Sequence, residues 1–346
     1  MVNLEDIPLP PRMGKEPKRD YMGRYILPDP STGSEEAWTR VSTLKSKSSD
    51  KAGLEKWKMR LTLTGIAAEA LEAQDNGRDP LLVEKLINLA ADEGSMPDRE
   101  YNKQLQAVAD HAFDLGGGNR AAKMGTALHA WCEWVDRGLG EAGDVPKMFQ
   151  PYVVAYQAAL LEANILVCPE LIEQVVINQA YGVAGTFDRA YMLSDESIVL
   201  ADIKSGKDVK FGWQEIAQQM AAYQTSEFMF DQEKGEWVEP PPFRTDYALI
   251  IHVPVMAPVP KVHIIPISLA KGRTYLTVSK QVSELQRDRD MGSFQIPSTS
   301  TALVAQINAV QSREELVTLW EQNTKDWTTS HTLLGKRRLA TISKQH

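Results

Sequence analysis

Two aspartates and one lysine are the residues of this 346-residue chain whose types and spacing point most directly to chemistry. Asp188 closes the string GTFD, and Asp202 and Lys204 lie in the string ADIK. Carboxylates held close together repel each other unless a cation lies between them, and oxygen ligands of this kind suit Mg²⁺ or Mn²⁺. The alternative is an Asp188 that caps a turn and an Asp202–Lys204 ion pair on the surface.

The segments that carry these residues are predicted to form a β-hairpin. Residues 184–192 and 197–204 are rich in β-branched and apolar side chains, and a polar turn centred on Asp195 joins them. Pairing about this turn places Asp188 opposite Asp202, with Cβ atoms about 5 Å apart. A shift of one residue would put the charges out of line, so the prediction depends on the register.

Two elements upstream add further candidate ligands. Residues 171–178 form a strand-like run that would complete a three-stranded meander and contribute Glu173 as a third carboxylate. Glu170 is the other choice for this role. Residues 119–137 are predicted to form a helix, since glycines flank the segment on both sides, and this helix carries His129.

A helix predicted over 214–230 follows the hairpin and adds two polar side chains. Gln219 and Tyr223 are four residues apart, so they share one helix face, which we expect to lie over the carboxylates. The preceding loop contains lysines that suit backbone phosphates and a tryptophan that could stack on bases. These three loop residues are Lys207, Lys210 and Trp213.

In this order, the motifs resemble the PD-(D/E)XK nuclease superfamily, and within it the RecB-like branch that includes the lambda-type phage exonucleases. The resemblance covers about residues 116–270 and rests on five motifs, each weak alone. One departure is Asp202, because many relatives carry glutamate there. The resemblance implies metal ligation by Asp188, Asp202, Glu173 and His129, and catalysis by Lys204 with the three carboxylates. It also implies that Gln219 and Tyr223 contact the substrate strand or position the site.

The same resemblance implies a fold and a function. The fold would be of the α/β class (α+β, mixed sheet), with a restriction-endonuclease-like αβββαβ core and helical additions at both ends. The function would be that of a Mg²⁺-dependent deoxyribonuclease, an exonuclease that hydrolyses linear DNA in phage or bacterial recombination, repair or processing. Its partners would be DNA, a single-strand annealing or recombination protein, and further copies of itself. A structure- or site-specific endonuclease and a non-catalytic DNA-binding relic of the fold are the alternatives.

Composition sets further bounds. The net charge of −8 argues against a broad nucleic-acid-binding face but allows a narrow basic channel. Two cysteines are too few for the four-cysteine iron–sulfur cluster that some RecB-like proteins carry. The sequence lacks both a long apolar run and a secretory signal, so we expect a cytoplasmic protein without a membrane partner, in the host cytoplasm if it is phage-encoded.

The chain divides into three regions by pattern. Residues 1–115 are predicted to form an extended arm and a helical subdomain, residues 116–292 the nuclease core, and residues 300–346 a C-terminal helical segment. A polar helix over 269–291 would end the core, and residues 292–301 read as a linker rich in serine and threonine.

Overall fold

The computed structural model describes residues 7–11, 13, 17–231, 234–289 and 301–343. The predicted linker, up to residue 300, lies outside the described residues. The chain divides into a larger compact unit that ends at Arg287 and a smaller one that begins at Asp288. Residues before 116 belong to the same unit as the sheets.

The chain has mixed α/β structure, and its described part contains eleven helices and eleven strands. The helices are α1 Val41–Lys45, α2 Ala52–Asp75, α3 Leu81–Ala91, α4 Asp98–Leu115, α5 Arg120–Asp136, α6 Gln150–Glu162, α7 Trp213–Gln224, α8 Leu269–Arg287, α9 Thr301–Ala309, α10 Arg313–Gln322 and α11 Thr329–Ile342. The strands are β1 Tyr25–Pro28, β2 Glu35–Arg40, β3 Leu166–Val167, β4 Gln174–Asn178, β5 Val183–Phe187, β6 Arg189–Met192, β7 Ile198–Lys204, β8 Phe228–Asp231, β9 Glu236–Val238, β10 Tyr247–His252 and β11 His263–Ser268.

The strands form two mixed sheets. The first has the order β1-β2-β5-β4-β8-β9 and the second the order β11-β10-β7-β6-β3. Each sheet has one parallel pair, β2 with β5 and β7 with β10, and helix α7 lies within the crossover between β7 and β10. Only Asp188 separates β5 from β6, so one extended stretch leaves the first sheet and enters the second at that residue.

The second sheet is covered by helices on both faces. Val199, Ala201 and Ile203 of β7 pack in a cluster with buried side chains of α5 and α6. Leu200, from the opposite face of β7, packs in a cluster with α7 and α8. Side chains alternate along a strand, so this packing places Asp202 on the face covered by α7.

The predicted elements of the core are confirmed in part. The hairpin of β6 and β7 has the predicted register, and α5 matches the predicted helix 119–137. The helix predicted over 214–230 is too long, because α7 ends at Gln224. The hydroxyls of Thr225 and Ser226 bond back to carbonyls of the last helical turn. The chain then forms β8, which pairs with β4 and packs its phenylalanines beside the core of the first sheet.

The N-terminal region contributes to the first sheet, which the sequence did not indicate. Strands β1 and β2 form a hairpin, and β2 runs parallel to β5 with Thr39 opposite Val183. Helices α2, α3 and α4 then form the predicted helical group around a small cluster of their own. Helices α2 and α4 approach closely at Gly65, where an added Cβ would lie 1.8 Å from the Ala112 carbonyl oxygen.

The smaller unit contains α9, α10 and α11, as predicted for a helical C-terminal segment. Helix α10 begins at the N-cap Ser312, whose hydroxyl accepts a hydrogen bond from the Glu315 amide at 3.1 Å. The Glu315 carboxylate accepts from the Gln311 amide instead of completing a capping box at Ser312. Within the described ranges, none of the helices combines the length and the apolar character needed to cross a bilayer.

Candidate active site

The two aspartates of the predicted hairpin face each other. Asp188 lies one position beyond the last paired residues, Arg189 and Ala201, which places it opposite Asp202. Its Oδ2 accepts a hydrogen bond from the Ile203 amide at 3.2 Å. The predicted register is therefore confirmed, and the side chains converge where β5 leaves the first sheet and β6 enters the second.

Asp202 is buried among charged and polar partners. Its side chain is only 2% exposed, its Oδ2 forms an ion pair with Lys204, and its Oδ1 accepts a hydrogen bond from Gln219 Nε2 at 3.2 Å. Burial and the charge of Asp188 raise the pKa of Asp202 to about 6. Burial opposes the charged form of Lys204, but Asp202 and Asp188 outweigh it and raise the pKa of that ammonium above its usual value.

The aspartate pair fits a hard divalent cation. Asp202 Oδ2 is buried and has no hydrogen-bond partner in the described part of the chain, although it contacts the Lys204 ammonium. The repulsion between Asp188 and Asp202 would be relieved by a cation that both ligate. No group of three or more histidine, cysteine, aspartate or glutamate residues within the described ranges is arranged to hold an ion. The site brings together two carboxylates, a number that suffices for Mg²⁺, which usually keeps several waters.

Glu173 lies beside Asp188 but not within the predicted strand. It precedes β4 with a left-handed φ of 52°, and its amide donates to the Asp188 carbonyl at 3.0 Å. Its side chain is 38% exposed and its Oε1 lies 3.6 Å from Nη1 of Arg189. Burial and the charge of Asp188 raise the pKa of Glu173. The other candidate, Glu170, lies exposed in the short 3₁₀ helix Pro169–Leu171.

His129 approaches the pair from the other face of the sheet, on helix α5. Its Nδ1 lies 3.5 Å from Asp188 Oδ2, and its side chain is 31% exposed. Burial lowers the pKa of His129 despite the charge of Asp188, which favours the neutral imidazole that metals bind. Helix α5 approaches β7 closely at Gly125, where an added Cβ would lie 2.3 Å from Ser205 Oγ.

A buried charged network fixes the backbone at Asp188. The Arg189 guanidinium is 1% exposed, donates from Nε to Asp136 Oδ2 at 2.8 Å and from Nη1 to the Asp188 carbonyl at 2.7 Å. Asp136 also accepts a hydrogen bond from the Tyr156 hydroxyl at 2.8 Å, which in turn lies 2.8 Å from the Tyr191 hydroxyl. The sequence reasoning did not find this network, because its members come from α5, α6 and β6.

Helix α7 places Gln219 over Asp202, as predicted. The Gln219 amide donates to Asp202, and its Oε1 accepts a hydrogen bond from the Lys45 ammonium. Lys45 comes from the five-residue helix α1, and burial together with the charge of Lys204 lowers its pKa. Sequence reasoning missed Lys45, since α1 is too short to give a helical pattern. The only feature of the sequence that could have indicated Lys45 is the lysine itself, at the end of the string VSTLK.

Tyr223 is a core residue as well as a neighbour of the site. It is 5% exposed, and its hydroxyl lies 3.4 Å from Gln219 Nε2. The ring packs over Gly185, where an added Cβ would lie 2.5 Å from Tyr223 Cε1. This contact explains the glycine of the GTFD string. Of the two roles expected for Tyr223, contact with the substrate strand or positioning of the site, its burial favours the second, as a support for Gln219.

The three loop residues line one groove next to Lys204. Lys207 and Lys210 are exposed, whereas Trp213 begins α7 and is partly buried against the core. The groove has a volume of about 620 Å³, and His252 and His263 also line it. The two buried cysteines lie in different clusters, because Cys132 is on α5 and Cys168 directly follows β3.

Comparison of the sequence with models of known protein families and with curated proteins finds no match in either. The function therefore has to be argued from the site itself.

Proposed function

We propose that the chain is a metal-dependent DNA nuclease of the PD-(D/E)XK type, and that it acts as an exonuclease on linear DNA. The observation that carries the proposal is the convergence of four side chains from the β5–β6 junction, strand β7 and helix α7. Asp188 and Asp202 face each other, Lys204 pairs with Asp202, and the amide of Gln219 bonds to Asp202.

The order of elements also supports a restriction-endonuclease-like core. Helix α5 is followed, after α6 and the short β3, by β4, the β5–β6 stretch and β7, each antiparallel to the next. Helix α7 then precedes β10, which comes after β8 and β9 and is parallel to β7. With α6, β3, β8 and β9 treated as additions, this order is compatible with the αβββαβ core that the resemblance implied. The pairs β1–β2 and β8–β9 extend the first sheet on its two sides.

Asp188 and Asp202 would hold the cation, and His129 lies close enough to Asp188 to take part. A bound Mg²⁺ or Mn²⁺ lowers the pKa of its water and neutralises charge that develops during phosphodiester hydrolysis. Glu173 is paired with Arg189 in this structure, so we assign it to supporting Asp188 through its amide.

Lys204 supplies positive charge next to the pair. Without metal the two aspartates raise the pKa of Lys204. A bound dication would push this pKa down, so Lys204 could either stabilise the phosphate oxygens electrostatically or take part in proton transfer to or from the attacking water. Gln219 fixes one oxygen of Asp202, and the Lys45 ammonium fixes which end of the Gln219 amide faces Asp202. Together these contacts hold the carboxylate in one orientation before substrate arrives.

The experiment that tests the proposal uses linear DNA labelled at the 5′ or the 3′ end and closed-circular DNA. With Mg²⁺ we expect degradation of linear DNA and intact circles, and with EDTA no degradation of either. Cleavage of circles would favour the endonuclease alternative on the same fold. An absence of Mg²⁺-dependent cleavage of every substrate would favour the non-catalytic alternative and refute the proposal.

Matched variants of two carboxylates test whether cleavage depends on the site itself or on any nearby acidic residue. Asp202→Asn should reduce cleavage by orders of magnitude, whereas Glu170→Gln, at an exposed glutamate near the site, should leave it unchanged. Because Glu173 supports Asp188 through its backbone amide, Glu173→Gln should keep most of the cleavage activity. A loss of cleavage in this variant and not in Glu170→Gln would instead make the Glu173 side chain the third carboxylate. Equal activity of Asp202→Asn and wild type would refute the assignment of the site.

A further inference from the structure

A row of side chains leads away from Lys204 across the second sheet. Lys204 on β7 is the register partner of His252 on β10, which is the partner of His263 on β11. Partners on adjacent strands point to the same side of a sheet, so the three residues lie side by side. The imidazole centroids are 6.0 Å apart with 28° between the ring planes. The row ends at β11, which is the edge strand.

The groove described above lies along this row. Its floor is made of His252, His263 and Ile265, and its wall is the loop that carries the two lysines. His252 is only 7% exposed, and its Nε2 lies 2.8 Å from the Gly206 carbonyl oxygen. This contact ties the loop to the floor, so His252 is a positioning residue, while the exposed His263 faces the opening.

The charge of the groove suits a polyanion. Lys207 and Lys210 are exposed, and neither forms a salt bridge with another described residue. Asp208 also lines the groove, but its Oδ1 accepts a hydrogen bond from the Lys210 amide at 2.7 Å. The groove thus carries two lysine ammonium groups against one carboxylate, a net positive charge on a protein whose net charge is −8.

We propose that this groove binds a single strand of nucleic acid on one side of the phosphodiester to be cut, with Lys207 and Lys210 on its phosphates and His263 against a base. The proposal rests on the proposed function and adds a path for the strand. A single strand fits better than a duplex, because aromatic side chains can stack on bases only where the bases are unpaired. Phe211, which directly follows Lys210 in the same loop, is 99% exposed and also suits stacking on a base.

Binding without cleavage tests the path independently of catalysis. The assay is fluorescence anisotropy of a short labelled oligothymidylate in EDTA at pH 8, repeated over a range of salt concentrations. Each phosphate contact on a single strand contributes about 0.7 to the slope of log affinity against log salt. The double variant Lys207→Ala/Lys210→Ala should therefore bind more weakly and show a slope smaller by about 1.4. The control Lys85→Ala/Lys103→Ala, with the same charge change on α3 and α4, should bind as wild type does.

Variants at His263 test the stacking contact. His263→Ala should weaken binding about 5-fold or more without changing the salt slope, and His263→Phe should restore binding because a phenyl ring also stacks. An unchanged salt slope in the lysine variant, or equal binding by all three residues at position 263, would overturn the proposal. Displacement of the oligonucleotide by poly-glutamate at an equal charge concentration would also overturn it, since the groove would then be a general anion site.

The outcomes also separate this proposal from the proposed function. Normal Mg²⁺-dependent cleavage by wild type, with binding unaffected by the lysine and histidine variants, refutes only the strand path. Oligonucleotide binding with the expected slopes, but without cleavage under any condition, refutes the nuclease and leaves the groove as a nucleic-acid-binding site. A wild-type protein that binds no oligonucleotide at low salt refutes the strand path whatever the cleavage assay gives.

Discussion

Replacing Asp202 by asparagine should stabilise the protein in the absence of metal while it removes activity. Asp202 is buried with a pKa raised from 3.8 to about 6, so ionisation of this carboxyl costs folding free energy. A carboxyl with a raised pKa favours the folded state below its unfolded-state pKa, and this stability is lost as the pH rises to about 6. At 1.36 kcal/mol per pKa unit, the loss is about 3 kcal/mol at pH 8.

Asparagine has nearly the same shape as aspartate and does not ionise. The variant therefore does not lose folding free energy to ionisation at this position. Its Oδ1 can still accept the hydrogen bond from Gln219, but its amide cannot pair with the charge of Lys204. The Lys204 side chain is 29% exposed and can turn towards solvent. We therefore expect a net gain of about 1–3 kcal/mol in EDTA at pH 8, and almost none at pH 4.

Urea denaturation of both proteins, with EDTA or with Mg²⁺, measures this difference. Mg²⁺ at a concentration 100-fold above its dissociation constant would stabilise the wild type by about 2.7 kcal/mol, and the variant should lose most of that effect. A variant that is less stable than wild type in EDTA at pH 8, or a stability difference that does not change with pH, would refute the reasoning that burial and the charge of Asp188 raise the pKa of Asp202.

Four further predictions follow from the same contacts. Lys204→Ala should abolish cleavage but keep Mg²⁺ binding, as measured by calorimetry, and a collapse of metal affinity would show that Lys204 only holds Asp202 in place. Lys45→Met should lower kcat about 10-fold or more with little change in KM, because the Gln219 amide loses the contact that orients it. An unchanged kcat would contradict this role of Lys45. Tyr223→Phe should lower kcat by less than Lys45→Met does, since the hydroxyl contact with Gln219 is 3.4 Å long, and a larger loss of activity would show direct participation. Gly185→Ala should cost about 1–3 kcal/mol of unfolding free energy, because the added methyl overlaps the buried Tyr223 ring, and wild-type stability in urea would contradict that packing.

Local patterns predicted the centre of the site well. The hairpin register that brings Asp188 to Asp202 depends on one short turn and on strand periodicity, both of which are local properties. The positions of His129 and Gln219 on helices depend likewise on nearby caps and helical spacing. These parts of the site required no knowledge of distant contacts.

The parts that sequence reasoning missed depend on contacts between distant segments. Lys45 meets Gln219 across 174 positions of the chain, and Arg189 meets Asp136 across 53. The end of α7 was misplaced because pairing of β8 with β4 outweighs the helical pattern of 225–230, and pairing between strands is not a local property.

The passage of one stretch of chain between two sheets limits how the surrounding sequence can change in length. Residues 183–187 are held in register by β4, and residues 189–192 by β7, with Asp188 between them. Inserting or deleting one residue on either side would turn that side's remaining residues to the opposite face of the sheet. Length variation in this region should therefore be confined to the two turns that border the stretch, at 179–182 and 193–197, whereas the stretch itself can change only by substitution.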